Sequence, residues 1–396
     1  ELFFIQLFLA VQRQQIKEEE KGAIFHDKTG LQQRFLAGLP FTLTAAQERV
    51  IDEIRKDTAG GRPMNRLIQG DVGSGKTVVA MAAMAAAKEN GFQSALMAPT
   101  EILAEQHYLS LRSMFASSSI TCALLRSGLK KKERADILSG LASGEIDIAV
   151  GTHALIQKDV DFANLGLAVI DEQHRFGVMQ RAFIRAKGYR PHVLVMTATP
   201  IPRSLALTLY GDLDVSVIDE LPGGRQPIRT AWRKEQSREK IYDFIKKEAE
   251  RGNQAYIVYP LVEESEKMDL ADATAGYEDL KHGVFRDYSL GLLHGRMKSE
   301  TKDRVMCAFK EGDIQILVST TVIEVGVDVA KATVMLIEHA ERFGLPQLHQ
   351  LRGRVGRSPR QSYCILLTPG FINETALKRI ETMVETSDGF MIAERD

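Results

Sequence analysis

At 396 residues the chain is too long for one ordinary hydrophobic core, which predicts two domains of roughly 150–200 residues each. A nucleic-acid-binding protein is more often basic overall, and the formal net charge of −1 does not indicate one. It does not exclude one either, because a local basic track would suffice to hold a nucleic-acid backbone. The three cysteines, Cys122, Cys307 and Cys364, form no C-x-x-C pair, which argues against a disulfide framework or structural zinc. These unpaired cysteines suit a reducing cytosol, so we expect a cytoplasmic protein. No stretch reaches the roughly 20 apolar residues of a transmembrane helix, so we expect no membrane partner.

From residue 66 onward, short apolar runs alternate with stretches of helix-forming residues. Continuous apolar strands that alternate with helices are typical of parallel sheets covered by helices on both faces, so we predict an α/β fold. The strands predicted in the first half are residues 66–69, 94–98, 122–125, 146–150, 167–170 and 193–197. Those predicted in the second half are residues 228–232, 255–259, 290–293, 315–319, 333–337 and 363–367. The sequence Pro-Gly-Gly at residues 222–224 lies between the two series and predicts a domain boundary there.

A phosphate-binding motif follows the first predicted strand. It fits G-x-x-x-x-G-K-[ST] and consists of Gly70, Asp71, Val72, Gly73, Ser74, Gly75, Lys76 and Thr77. Glycines let the backbone N–H groups converge on phosphate oxygens, and the helix predicted at residues 76–90 presents its positive N-terminus to them. We expect Lys76 to pair with the β- and γ-phosphates and the Thr77 hydroxyl to bind Mg²⁺.

An acidic pair follows the predicted strand at residues 167–170. Asp171 lies where it could bind Mg²⁺, and Glu172 could polarise the water that attacks the γ-phosphate. With the phosphate-binding loop, this pair predicts a P-loop NTPase. The chain lacks the N-K-x-D motif of GTPases, and residues 138–141, Leu-Ser-Gly-Leu, depart from the L-S-G-G-Q signature of ABC ATPases. We therefore expect the nucleotide to be ATP.

The sequence Asp171-Glu172-Gln173-His174 resembles the D-E-x-H box of superfamily 2 helicases, and the chain supplies the other helicase motifs in order. This resemblance implies two tandem RecA-like P-loop domains that hydrolyse ATP in the cleft between them. It also implies catalytic and nucleotide-binding roles for residues outside the phosphate-binding loop. These residues are Gln47 as the reader of adenine, Gly326 and Asp328 of motif V, and Gln350, Arg354 and Arg357 of the arginine-finger motif.

Two of these residues, Arg354 and Arg357, would act on the charge that develops on the γ-phosphate. Their i, i+3 spacing would put both on one face if they lay on a helix.

The helicase resemblance further implies contacts with a nucleic-acid backbone. The residues concerned lie in loops after predicted strands, where hydroxyl and N–H groups can hold phosphates without reading sequence. They are Pro99, Thr100, Glu101, Thr152, His153, His294, Arg296 and Thr320. For the three threonines, a helix cap or a turn hydroxyl is the alternative.

A closer resemblance is to the RecG family of bacterial branch-migration helicases. It is carried by the phosphate-binding loop and by residues 171–178, 201–203, 210–215 and 338–344. It implies a monomeric motor, associated with the bacterial nucleoid, that acts on duplex DNA, stalled forks and Holliday junctions in recombination and repair. It also implies four regions in this chain. They are a helical connector at residues 1–30 from a wedge domain that is not part of this sequence, RecA-like domains at residues 31–220 and 221–370, and the start of a translocation hairpin at residues 371–396.

Three other functions stay open at this point. A transcription-repair coupling translocase shares the motor motifs, but the run at residues 210–215 and Gln173 favour the RecG family. An RNA helicase would carry the same motifs, because none of them alone reads a 2′-hydroxyl group. A nucleotide-binding scaffold without turnover would be expected to lack Glu172 or the arginines, and both are present.

Overall fold

The computed structural model describes residues 22–26, 30–126, 128–171, 191–198, 213–223, 226–260, 266–320 and 329–396. The chain divides between Pro222 and Gly223 into two compact units. In the described part of each unit, the strands form a single sheet in which every strand pair is parallel. The predicted α/β fold with two parallel sheets is therefore confirmed.

The sheet of the first unit has seven strands within the described residues. They are β1 (Asn65–Gly70), β2 (Gln93–Met97), β3 (Cys122–Leu125), β4 (Ile148–Gly151), β5 (Leu165–Asp171), β6 (His192–Thr197) and β7 (Asp214–Ile218). Their order across the sheet is β3-β4-β2-β5-β6-β1-β7. Because the strands are parallel, all their carboxyl ends meet at one edge, where ligands bind in open α/β sheets. Only β6 separates the end of β5 from the phosphate-binding loop after β1.

Five helices of the first unit are described: α1 (Leu31–Ala37), α2 (Ala45–Ala59), α3 (Lys76–Glu89), α4 (Glu101–Met114) and α5 (Lys131–Ser143). Helix α2 begins at a capping box, in which the Thr44 hydroxyl accepts from the Gln47 N–H and the Gln47 side chain accepts from the Thr44 N–H. Helix α3 is buried around most of its circumference, because alanine and methionine fill its sequence.

The second unit has a six-stranded sheet within the described residues. The strands are β8 (Arg229–Lys234), β9 (Gln254–Val258), β10 (Leu290–Leu293), β11 (Ile316–Ser319), β12 (Ala332–Ile337) and β13 (Tyr363–Thr368). Their order is β10-β11-β9-β12-β13-β8. The helices are α6 (Arg238–Glu250), α7 (Glu266–His282), α8 (Ser299–Glu311), α9 (Leu345–Arg352), α10 (Glu374–Glu385) and α11 (Gly389–Glu394).

All twelve strands predicted from the sequence coincide with observed strands, with their ends displaced by at most two residues. Strand β7 was not predicted. Its sequence, Asp-Val-Ser-Val-Ile, alternates polar and apolar residues because β7 lies at an edge of the sheet, beside β1. The expectation of continuous apolar runs holds only for strands that are buried on both faces. Here the buried Arg66 of β1 donates to Ser216 of β7 at 2.6 Å.

The start of the described chain differs from the helical connector that we expected at residues 1–30. Residues 22–26 are not helical, and residues 1–21 lie outside the described part of the chain. The N–H groups of Gly22 and Phe25 donate to the carbonyls of Gly61 and Thr58 instead of to carbonyls of their own helical turn. Phe25 is buried against Phe92 and His192, so this stretch packs onto the first unit. No helix in the described part of the chain is long and apolar enough to cross a membrane.

Candidate nucleotide and nucleic-acid sites

The phosphate-binding loop connects β1 to α3 and closes around the side chain of Lys76. The Lys76 ammonium donates to the carbonyl oxygens of Gly70 at 2.7 Å and Asp71 at 2.9 Å. The lysine is 9% exposed, so the loop holds a cation in a largely buried place. Because anionic phosphate oxygens accept more strongly than neutral carbonyls, a triphosphate could displace these two acceptors. Thr77, half-buried, follows as the second residue of α3.

Gln47 lies against this loop. Its Nε2 donates to the Ser74 carbonyl oxygen at 2.8 Å, and its Oε1 accepts from the Thr44 N–H at 2.9 Å. The amide packs so closely on Gly75 that a Cβ atom there would overlap Nε2. Gly75 also has a φ of 86°, so a larger residue would be strained as well as crowded. The structure thus brings the predicted adenine reader to the phosphate-binding loop, and its role there stays a prediction.

Asp171 ends strand β5 at the same edge of the sheet. It pairs in register with Met196 of β6, and the next residue of β6, Thr197, pairs with Gln69 just before the loop. The Asp171 carboxylate is in contact with a residue that the sequence did not single out. His107, on α4, places its Nε2 atom 2.8 Å from Asp171 Oδ2. The only signal in the sequence that could have indicated this contact is the position of His107 among the apolar residues of α4.

The predicted backbone contacts of the first unit lie after β2 and β4, which are neighbours in the sheet. The Ala98 N–H, just after β2, donates at 2.9 Å to the carbonyl of Gly151, the last residue of β4, so the pairing of the two strands continues to the point where both loops begin. This brings together Pro99, Thr100, Glu101, Thr152 and His153.

The two threonines of these loops differ in their hydroxyl contacts. The Thr100 hydroxyl caps α4 by accepting from the Leu103 N–H at 3.4 Å. The Thr152 hydroxyl is buried, and no hydrogen-bond partner for it is found among the described residues. The cap alternative therefore describes Thr100 in this structure, whereas Thr152 has no side-chain cap bond.

A corresponding pair of loops follows β10 and β11 in the second unit. Thr320 is fully buried after β11, and its N–H donates to the Leu293 carbonyl at the end of β10. Burial, followed by the charges of Lys302 and Arg296, lowers the pKa of His294, so this histidine favours its neutral form beside two cations. Arg296 itself is exposed. The residues predicted to bind a nucleic-acid backbone in this unit thus follow neighbouring strands, as they do in the first unit.

The arginine-finger motif does not form the helical face that the i, i+3 spacing would give. Helix α9 ends at Arg352, and Gly353 and Gly356 follow, the latter with a φ of 76°. Arg354 and Arg357 therefore lie beyond the helix, because its C-cap, Gly353, precedes both arginines. Both are near the buried ring of Tyr256, whose pKa burial raises to about 12 against the opposing charges of the two arginines. Gln350 and Arg354 are buried.

Arg352, inside the same motif, binds the C-terminal segment. Its guanidinium donates to the carbonyl oxygens of Met383, Thr386 and Ser387 at distances of 2.8 to 3.1 Å. The arginine is 3% exposed, so these are buried, charge-assisted hydrogen bonds. The sequence pointed to this arginine only as part of a motif and did not predict a structural role for it.

Three predicted site residues, Glu172, Gly326 and Asp328, lie outside the described residues. The same holds for Gln173, His174 and the first half of the run at residues 210–215.

Comparison with known proteins supports the two-domain division. The DEAD/DEAH box helicase family matches residues 44–208, and the helicase conserved C-terminal domain matches residues 236–359. Over its whole length the chain is 54% identical to the ATP-dependent DNA helicase RecG of Synechocystis, of which it covers 48%. It is 52% identical to the RecG of Thermotoga maritima, of which it covers 50%.

A solved structure described as RecG bound to a three-way DNA junction is also similar. It superposes with a TM-score of 0.87 at 49% identity, over all of this chain and 52% of that one. The chain thus spans about half the length of the curated relatives that it matches.

Proposed function

Because this chain belongs to the RecG helicases, of which it covers about half the length, we propose that it is the ATP-driven motor of a DNA helicase. Its substrates are duplex DNA, stalled forks and branched junctions, and its place is recombination and repair in a bacterium. The observation that carries the proposal is the carboxyl edge of the first sheet. There a complete phosphate-binding loop, the carboxylate of Asp171 and the loops after the paired strands β2 and β4 lie at the ends of neighbouring or near-neighbouring strands.

The reaction proposed for this edge of the sheet is ATP hydrolysis, in which the γ-phosphoryl group is transferred to water. Lys76 moves from the loop carbonyls to the β- and γ-phosphates, where it neutralises charge on the transferred group. Glu172 orients and polarises the attacking water, and Gln47 holds the adenine. Arg354 and Arg357 stabilise the charge that develops on the γ-phosphate, with Gln350, Gly326 and Asp328 as further contacts of the nucleotide.

The available oxygen atoms suit Mg²⁺. The Thr77 hydroxyl and the Asp171 carboxylate are hard oxygen donors of the kind that Mg²⁺ prefers, usually beside substrate phosphates. Bound Mg²⁺ would supply positive charge that offsets the negative charge of the phosphates. His107 contacts Oδ2 of the same carboxylate.

The proposed nucleic-acid-binding surface contacts the sugar-phosphate backbone of the nucleic acid. Hydroxyl, N–H and basic groups in the loops after β2, β4, β10 and β11 would hold phosphates and leave the bases unread. Such contacts give salt-dependent affinity without preference for a sequence. The RecG relatives, and the solved RecG bound to a three-way junction, favour DNA over RNA as the partner. We further propose that the protein acts as a monomer in the bacterial cytoplasm, at the nucleoid.

The test is ATP hydrolysis measured without nucleic acid and with duplex DNA, forked DNA, single-stranded DNA and RNA, with Lys76→Ala as the background. We expect hydrolysis that duplex and forked DNA stimulate more than RNA does. Stronger stimulation by RNA would instead support an RNA helicase. Hydrolysis no faster than that of Lys76→Ala under every condition would indicate a nucleotide-binding scaffold.

A further inference from the structure

His107 is the one polar residue on the buried face of α4. Leu103, Ala104 and Leu111 form the rest of that face, and His107 is 8% exposed among them. An imidazole in such a place needs a hydrogen-bond partner, because an unpaired buried polar group is costly. That partner is Asp171, the residue expected to bind Mg²⁺, at 2.8 Å from Nε2 to Oδ2.

The direction of this hydrogen bond follows from the chemistry of the two groups. An ionised carboxylate can only accept, so Nε2 of His107 must carry the proton and donate to Oδ2. The bond therefore fixes which carboxylate oxygen is held by the protein and limits rotation of the Asp171 side chain. Hydrogen bonds to ligating carboxylates orient them for a metal ion, and removal of such a partner typically costs about 10–100-fold in metal affinity or activity.

Helix α4 carries His107 from the predicted DNA-binding edge to the nucleotide site. The helix begins directly after Thr100, at the end of the loop that follows β2, and this loop starts beside the end of β4, where the Ala98 N–H donates to the Gly151 carbonyl. His107 lies seven residues beyond Thr100, a distance of about 10 Å along a rigid helix. Thr100 is the N-cap of the helix that carries His107. If a bound phosphate backbone displaced Thr100, the helix and His107 would move with it.

We propose that His107 is a positioning residue that orients the Asp171 carboxylate and couples nucleic-acid binding at the start of α4 to the nucleotide site. This inference rests on the proposed function, because it assigns His107 a part in the ATP hydrolysis of that site. The alternative is a core histidine whose bond to Asp171 only stabilises the fold. The two differ in what a substitution changes: a stabilising role alters unfolding, whereas a positioning role alters the Mg²⁺ requirement and the response to DNA.

The experiment compares His107→Leu, which fills the space without a donor, with His107→Gln, which keeps an N–H group on a side chain of similar reach. Leu111→Ala on the same face of α4 is the matched control for lost packing. The first measurement is binding of a fluorescent, non-hydrolysable ATP analogue as Mg²⁺ is varied, which needs no turnover. The second is ATP hydrolysis with and without duplex DNA.

We expect His107→Leu to raise the half-saturating Mg²⁺ concentration roughly 10–100-fold and to lose most of the stimulation by duplex DNA. His107→Gln should recover much of both, and Leu111→Ala should change neither. The same Mg²⁺ requirement in His107→Leu and Leu111→Ala would overturn the positioning role, and normal DNA stimulation in His107→Leu would overturn the coupling. If His107→Leu does not fold, His107→Ala takes its place in the comparison. A parent protein that hydrolyses no ATP would instead count against the proposed function.

Discussion

Arg352 donates a hydrogen bond from Nη1 to the carbonyl oxygen of Thr386 at 2.8 Å, across 34 residues of sequence. Two further carbonyls, those of Met383 and Ser387, accept from the same guanidinium. These acceptors lie at the end of α10 and just after it, where a helix leaves carbonyl groups without partners. The arginine-finger motif and the segment predicted to begin the translocation hairpin are therefore directly connected within the second unit.

We expect Arg352→Lys to loosen this connection, since a lysine cannot serve three carbonyls with the planar fork of a guanidinium. The buried carbonyls left without donors should cost about 2–4 kcal/mol of local stability. Hydrogen–deuterium exchange should become faster in Glu374–Glu385 and Gly389–Glu394. Lys378→Ala is the control, because its ion pair with Glu374 is exposed and worth little. Equal exchange in both variants would contradict an anchoring role for Arg352.

Substitutions at the phosphate-binding loop and the acidic pair should separate binding from turnover. Lys76→Ala should lower hydrolysis by roughly 10²–10³-fold or more, because the cation for the transferred phosphate is lost while the backbone of the loop remains. Glu172→Gln should keep ATP binding and lower turnover by roughly 10²–10⁴-fold. Nucleotide affinity and steady-state hydrolysis measure the two effects. Turnover by Glu172→Gln near the parent rate would show that Glu172 does not activate water.

Substitution of the two arginines near Tyr256 should lower kcat much more than it weakens nucleotide binding. Arg354→Ala and Arg357→Ala each remove a cation expected to act only in the transition state, an effect on the order of 10³–10⁵ for arginine fingers. Arg360→Ala, at an exposed position soon after the motif, is the control. Mild changes confined to KM would instead show that neither arginine acts in the transition state.

His192 should make the first unit less stable in mild acid. It is fully buried, with Nδ1 accepting from the Met64 N–H at 2.9 Å and Nε2 2.8 Å from the Ala23 carbonyl. This arrangement suits the neutral ring, and burial lowers the pKa of His192 from 6.5 to about 4. Between pH 6.5 and pH 4 the imidazole of His192 is protonated in the unfolded chain and neutral in the folded chain. The free energy of unfolding therefore falls as pH drops through this range.

From pH 7 to pH 5 the loss attributable to His192 should be on the order of 2 kcal/mol. Urea unfolding followed by circular dichroism at pH 7, 6 and 5 measures it. His192→Asn keeps a polar side chain that does not titrate, so its stability should depend less steeply on pH over this range. A parent and a variant with the same pH dependence would show that His192 titrates normally.

Local sequence was enough for the parts of the fold and of the site whose structure depends on neighbours in the chain. The phosphate-binding loop needs glycines and a lysine at fixed spacing, so its place between β1 and α3 was predicted residue by residue. Most of the twelve predicted strands are buried runs, and burial on both faces leaves a continuous apolar signal. The exception is β8, an edge strand whose residues are half-buried or exposed. The domain boundary could be placed near Pro222 because proline and glycine interrupt both helices and strands.

Only the tertiary structure decided which distant residues meet. His107 and Asp171 are 64 residues apart, and Arg352 and Thr386 are 34 apart, so no local pattern could have paired them. Helix α9 ends before Arg354 at its C-cap, Gly353, which the prediction from the i, i+3 spacing did not take into account. Strand β7 has too little buried surface for a continuous apolar run, and its position beside β1 depends on pairing with a strand about 150 residues earlier in the chain. Periodicity reports whether a residue is buried, whereas the identity of its partner depends on the order in which the parallel strands are arranged in the sheet.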